Sequence, residues 1–300
     1  MNKLTNKKLI EELRIRTLEN MLALEEIKIL NEKLKNVNKK LEESEALKSH
    51  FISNITNEIV NPFASILGLS TSILNIKKEN WKKVYEMVSM IHSEAFSLDF
   101  QLKNVFAAAK IEAGEVYPEI GKVDIQNLVK SVTESFSFEA QKKRVSFDLV
   151  LDLPKGKEIL FYFKTDPEKL KLILSNLITN AIKFSFDDGK ITIKIGYEMQ
   201  ELFISIHNMG VDIPDDYQQL IFDRFERVDS SITSINRGHG LGLSIIKSLL
   251  GLLGGDVNFQ SDKEKGTTFI VNIPEAIGEE DSFITYSNGN EIFFEDNQVF

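Results

Sequence analysis

The sequence has no cysteine among its 300 residues, which excludes disulfides, thiolate metal sites and cysteine nucleophiles. Its four histidines, at positions 50, 92, 207 and 239, are scattered and leave little metal chemistry. No stretch approaches ~20 uninterrupted apolar residues, and the N-terminal MNKLTNKKLIEEL is a charged amphipathic run without a signal-peptide core. These absences point to a cytoplasmic chain with no membrane segment, or to the cytosolic part of something longer. The net charge of −9 argues against a nucleic-acid partner, because phosphate-backbone affinity depends on clustered Lys and Arg. What the chain does have is 42% hydrophobic residues, enough for about two domains with real cores.

From Ile10 to Leu41 there is neither Pro nor Gly, and Leu30, Leu34, Val37 and Leu41 alternate in steps of four and three. That is a short coiled-coil seam, and residues 1–46 are expected to form a parallel dimer stalk whose twist is felt further along the helix. From Ser49 to Leu69, Phe51, Ile55, Ile59, Phe63 and Ile66 form one apolar stripe, with Pro62 expected to bend the helix. After a polar turn around 77–80, Val84, Val88, Ile91, Ala95, Leu98, Leu102, Val105 and Ala109 keep the same alternation for more than three heptads. Two such helices make a hairpin over 47–114 whose stripe is too long to stay exposed, so two hairpins should associate as a four-helix bundle in a homodimer.

Gly114, Pro118 and Gly121 then break the pattern, and 115–123 reads as a linker. Over 124–274 the period changes to two, in Val145 to Leu151, Ile191 to Ile195, Leu202 to Ile206 and Phe269 to Ile273. Asp166-Pro167 is a helix start, and Gly242 to Leu253 reads as a second, nearly all-apolar helix stopped by Gly254-Gly255. The expected fold class is α+β: a helical hairpin forming a dimeric four-helix bundle, followed by an α/β sandwich with helices on one face of a mixed sheet. Residues 275–300 form an acidic tail without Lys or Arg, either disordered or docked through Phe283, Tyr286, Phe293 and Phe294.

The polar ridge of the Ser49 helix is Asn54, Asn57, Glu58 and Asn61. It resembles the phospho-acceptor helix of the sensor histidine kinases, in which a His-Glu pair is followed by Thr-Pro or Asn-Pro. Glu58, Asn61 and Pro62 match that pattern, and Asn57 stands at the histidine position.

Four segments of the second domain fit together as an ATP pocket. On the helix after Asp166, Asn176 and Asn180 share a face and Lys183 follows one turn later. Carboxamide oxygens, Asn180 above all, can complete the shell of a Mg²⁺ that bridges phosphates, while Lys183 supplies a point charge. HNMGVDIP resembles the turn under the adenine in the same kinases and in the wider ATPase superfamily of type II topoisomerases, Hsp90-type chaperones and mismatch-repair ATPases. Gly210 matches, Asn208 replaces an aspartate that accepts from the adenine amino group, and Asp212 replaces a second glycine. ATP and Mg binding should be weakened by these two changes. IFDRFERVDSS resembles the family's phenylalanine motif, with Phe222 and Phe225 under a lid at 230–236 and Arg227 placed to reach a phosphate. Gly238, Gly240 and Gly242 lack side chains just before a helix, so backbone N–H groups can approach a triphosphate, and GTTF beyond them adds Thr268.

A histidine kinase moves the γ-phosphoryl of ATP to an imidazole nitrogen and then to an aspartate of a response-regulator receiver domain. The lone pair of a carboxamide nitrogen is delocalised into the carbonyl, so Asn57 is not a phospho-acceptor. His50 lies two turns away, ~10 Å along the axis, and lacks a following acid. The resemblance therefore implies a pseudokinase, a dimeric scaffold on a response regulator or partner histidine kinase. Its alternatives are a phosphatase of a phosphorylated regulator using Glu58 and Asn61, or an active kinase whose acceptor histidine was replaced by Asn57. A pure ATPase of the topoisomerase or chaperone type gives the long hairpin no role.

Overall fold

The computed structural model describes the backbone of residues 2–76, 80–153, 161–222 and 240–277; the side chains of 1–10, 12, 40, 43–44, 46–55, 57 and 58 lie outside that description. The chain divides into two compact units, Met1–Asn54 and Ile55–Phe300. The first is a single helical stretch, the beginning of α1 (Asn2–Leu74). Its seam residues Leu30, Leu34, Val37 and Leu41 are each more than half exposed in the single chain.

The second unit holds the rest of α1, then α2 (Trp81–Ala113). α1 continues as one helix through Pro62, so the proline removes a single backbone hydrogen bond without ending the helix. Gly114, at φ 70°, closes α2: its N–H donates to the Ile111 carbonyl and that of Glu115 to the Lys110 carbonyl, the Schellman pattern. The stretch expected as linker ends in a short strand, β1 (Gly121–Asp124), which pairs antiparallel with β3 (Tyr162–Thr165). Val123 and Phe163 are fully buried in that pair, so the packed region begins slightly before Asp124.

Asp124 then caps α3 (Ile125–Ser135) by accepting from Asn127 N at 3.0 Å, and α4 (Ser137–Lys142) leads into β2 (Ser146–Asp152). A five-stranded mixed sheet is completed by β4 (Lys190–Glu198), β5 (Glu201–Asn208), β6 (Asp256–Asp262) and β7 (Gly266–Pro274), in the order β2-β4-β5-β7-β6. Among the described residues only the β2–β4 pair is parallel. Register puts Ile193 opposite Ile206 and Ile204 opposite Val271, so the alternating apolar residues share one face. On that face lie α5 (Pro167–Phe184) and α6 (Gly242–Leu252), burying Leu170, Ile173, Leu174, Leu177 and Ile245, Ile246, Leu249, Leu250. The α+β class and the helices-on-one-face layering follow from these periodicities.

Asp166 makes the start of α5 a junction. Its carboxylate accepts from Lys169 N at 2.9 Å as an N-cap, from Glu119 N at 2.7 Å, and from the Lys169 ammonium, while only 1% exposed. Asp166→Ala leaves those buried donors without an acceptor and is expected to lower stability by about 2–4 kcal/mol in chemical denaturation. Asp166→Asn, which keeps the cap, should lose less.

α2 lies against α3 and α4 through Phe96 and Phe100, whose rings meet Phe136 edge-on at 5.2 and 5.7 Å. In the same seam Ser93 Oγ donates to Glu139 Oε1 at 3.3 Å, and Glu139 Oε2 is buried without a partner. Burial pushes the Glu139 carboxyl up from its ordinary value, opposed by its own backbone hydrogen bond, Ser93, His92 and Lys142. Since the folded state favours the protonated form, this stability is present below the ordinary carboxylate range and is lost as pH rises through the raised value. Glu139→Gln should flatten that pH dependence in thermal melts and raise the melting temperature at pH 7.

Candidate nucleotide site

The site is assembled around the C-terminal half of α5. Asn176 and Asn180 fall on one ridge of the helix, as spacing of four requires, but their surroundings differ. Asn180 is half-buried, whereas Asn176 is 4% exposed. Asn176 Nδ2 donates to the Leu172 carbonyl at 2.9 Å and to Asn104 Oδ1 of α2 at 2.7 Å. Its Oδ1 looks toward the first residue of α6: a Cβ on Gly242 would lie 2.8 Å from it. Gly242 is therefore glycine because α5 and α6 approach too closely here for a side chain. Gly240, two residues before, has φ 66°, the left-handed conformation that brings the chain into α6. Lys183 is half-buried, with Nζ 4.9 Å above the Phe184 ring.

The end of α5 is tied to the turn that follows β5. Val211 N donates to the Phe184 carbonyl and Phe186 N to the Met209 carbonyl, both at 3.0 Å, around the isolated bridge between Ser185 and Gly210. A Cβ on Gly210 would run into the Phe184 carbonyl oxygen, so no other residue keeps this contact. Asn208, the last residue of β5, is 3% exposed, and its Nδ2 is buried with no hydrogen-bond partner. A buried amide left unpaired costs about 1–3 kcal/mol, a penalty that a polar ligand edge can remove.

Three residues that pattern reading passed over complete the frame. Lys143 reaches the end of α5 and donates from Nζ to the carbonyls of Ile182 (3.0 Å) and Lys183 (2.6 Å), satisfying groups that the helix leaves open. Burial lowers the Lys143 ammonium below its ordinary value, partly offset by Asp187. Ser261 Oγ accepts from Ile213 N at 2.9 Å and meets Thr267 Oγ1 at 2.7 Å, fastening the turn that contains Asp212 to β6 and β7. Thr267 is the third. It pairs with Asn208 and is buried on the helix side, while Thr268 faces the other side and bonds His207 Nδ1 at 2.9 Å. The two-residue period that put Phe269 inward also puts Thr267 inward, which was the available signal.

Phe222 meets Phe259 edge-on at 5.9 Å, with the Lys247 ammonium 5.8 Å from its ring. Phe225, Arg227, the stretch 230–236 and Gly238 lie outside the described residues. So do the side chains of Asn57 and Glu58, whose backbone is helical within α1; Asn61 is exposed on the same helix. Among the described residues no group of His, Cys, Asp and Glu gathers as a metal site, and no helix is long and apolar enough to cross a membrane. An orphaned buried amide at the end of β5 suits a ligand with a polar edge.

Residues 165–277 match the family described as histidine kinase-, DNA gyrase B-, and HSP90-like ATPase. A domain of that class implies ATP binding. The circadian input-output histidine kinase CikA of Synechococcus elongatus is 27% identical over 236 residues, covering 77% of this chain and 30% of the relative. The aerobic respiration control sensor protein ArcB of Escherichia coli is 30% identical over 235 residues, covering 78% of this chain and 29% of the relative. The crystal structure of full-length ShkA in complex with AMPPNP shares the fold, with a TM-score of 0.52 at 22% identity over 79% of this chain and 47% of that one. The chain is similar to sensor histidine kinases over most of its own length, and it spans under a third of the length of these two sequence relatives.

Replacing Asn208 by aspartate would turn the orphaned donor into a charged acceptor. Asn208→Asp is expected to tighten Mg-ATP binding by about 10-fold in calorimetric titration, and unchanged affinity would remove Asn208 from the base contact.

Proposed function

We propose that this chain is a dimeric, histidine-kinase-like two-component signalling protein that binds ATP without phosphorylating itself, and that acts as a pseudokinase scaffold on a response-regulator receiver domain or a partner histidine kinase. The observation that carries this reading is the coexistence of an ATPase-family domain over 165–277 with Asn57 at the phospho-acceptor position. Bound ATP would supply a transferable γ-phosphoryl group. Gly240, in the left-handed conformation, turns the chain so that the start of α6 can face phosphates, Gly242 lets α5 and α6 approach there, Asn180 offers a carboxamide oxygen to Mg²⁺, Lys183 adds a positive charge, and Asn208 meets the base. Arg227 and Gly238 keep their sequence-based assignments as nucleotide contacts within this proposal, whereas Thr268, on the sheet face away from α5 and α6, gives up its assignment. Nothing at position 57 receives the phosphoryl group, because the amide lone pair is delocalised.

The dimer is supported by hydrophobic surface. Along the hairpin Val60, Phe63, Leu67, Val88 and Phe106 are at least half exposed in the single chain, and so are the stalk residues Leu13, Leu18, Leu22, Leu30 and Leu34. Stripes of this length are uncommon on monomers and fit a bundle of two hairpins below a coiled coil. The absence of long apolar helices among the described residues agrees with a cytoplasmic placement.

A second reading rests on Asn61, which is exposed one residue before Pro62 on α1. With Glu58 it would position a water for hydrolysis of a receiver-domain phospho-aspartate, a reaction that requires no protein nucleophile. Incubation with Mg-ATP labelled at the γ-phosphate separates these readings from an active kinase. The native dimer should carry no acid-labile label, and labelling of the native chain at any histidine would overturn the pseudokinase reading. Label appearing only in Asn57→His would identify a kinase disabled at a single residue. Faster loss of phosphate from a receiver domain, abolished by Asn61→Ala, would select the phosphatase.

A further inference from the structure

We propose that Asn104 is a positioning residue for the nucleotide site, acting through Asn176, so that docking of α2 on the ATPase domain and nucleotide binding oppose each other. The inference rests on the ATP-binding reading above and deepens it by naming what regulates that site.

Asn104 and Phe96 are the buried residues of α2, and Asn104 is a carboxamide. Ser93, Phe96, Phe100 and Asn104 recur at three and four and therefore share a face. That face lies against Phe136 and Glu139, and Asn104 extends it to Asn176; α2 also packs on α6. Asn176 has two amide hydrogens, and both are committed, one to Leu172 O and one to Asn104 Oδ1. This fixes the amide with its oxygen toward Gly242 at the start of α6. Phosphate oxygens are acceptors only, so in the docked state Asn176 presents them an oxygen rather than a donor. An N–H of Asn176 becomes available to a phosphate only when Asn104 withdraws.

The converse follows from the same atoms. If a nucleotide takes the Asn176 N–H, Asn104 Oδ1 is left buried without a donor, at a cost of about 1–3 kcal/mol that undocking relieves. The seam is already poorly satisfied: Gln101 Oε1 and Glu139 Oε2 are buried acceptors with no partner. Docking of α2 thus rests on the rings around Phe136, on packing against α6 and on the Ser93 and Asn104 hydrogen bonds, so losing the Asn104 contact shifts it toward the undocked state. Coupling of this kind is reciprocal by thermodynamic necessity.

Two measurements on the full chain test it. Calorimetric titration of Mg-AMPPNP should find binding tighter in Asn104→Leu than in the native protein by about fivefold or more, and Phe100→Ala, which loosens the same seam elsewhere, should move affinity in the same direction. The chain has no cysteine, so Ser93→Cys with Glu139→Cys creates the only thiol pair. Bridging that pair with a short bis-maleimide should weaken nucleotide binding, and Mg-AMPPNP added first should lower the bridging yield. A merely structural role for Asn104 would weaken binding in Asn104→Leu and leave the bridging yield insensitive to nucleotide. Either result overturns the proposal, as does native-like affinity in Asn104→Leu and Phe100→Ala while the native chain binds. If neither the native chain nor any variant binds Mg-AMPPNP, the ATP-binding reading itself fails and this inference falls with it.

Discussion

The burial of α5 against the sheet is the constraint on which the rest of the second unit depends. Leu170, Ile173, Leu174, Leu177 and Ile178 are almost completely buried, so the helix has no freedom to rotate or slide. Every part of the candidate site is measured from it. Asp166 ties its start to the segment before β1, Asn176 ties its middle to α2, and Lys143 with Val211 ties its end to α4 and to the turn after β5. A polar residue on this helix is therefore a fixed point, and its hydrogen-bond partners are determined by which neighbour reaches it.

Polar groups in the site are not all satisfied, and the pattern is informative. The frame around it is fully paired at Asp166, Lys143 and Ser261, where hydrogen bonds hold turns in place. The unpaired buried atoms among the described residues are Asn208 Nδ2, at the end of a central strand, Gln101 Oε1 on α2, Glu139 Oε2 on α4, Thr165 Oγ1 on β3 and Asn272 Oδ1 on β7. Buried orphans of this kind cost stability and persist where something else has to meet them or where a contact has to open. Asn57 imposes a constraint of another sort. Its amide lone pair is delocalised, so under the proposed function phosphoryl transfer would turn on one side chain remote in sequence from the nucleotide segments.

The helical part follows a different physical logic from the sandwich. Its stripes have the period of a packed interface, yet in the single chain they remain half-buried or exposed. A helix of this length gains its stability from apolar packing more than from propensity, and a second surface is what these stripes call for. The sandwich encloses its own core and needs no partner.

Local pattern left β1, β3, β6, α3 and α4 unread, but it determined the two long helices, the change from helices to strands after Gly114, the inward faces of β4, β5 and β7, and the start of α5 at Asp166-Pro167. Each of these depends on residues close in sequence and on the two repeats that a backbone permits. The four candidate nucleotide segments and the departure at Asn57 were read in the same way, because motif spacing and residue chemistry are local properties. The two-residue turn at Met199-Gln200, with positive φ at both, carried no Asn-Gly signal and is imposed by the strands it joins. Only the tertiary structure decided that Asn176 is buried against Asn104, 72 positions away, instead of sharing the more open setting of Asn180. It also decided that Thr267 rather than Thr268 lies beside Asn208, and that Lys143 closes α5. Those outcomes depend on which elements approach one another and how closely, a consequence of packing that no spacing along one chain segment encodes.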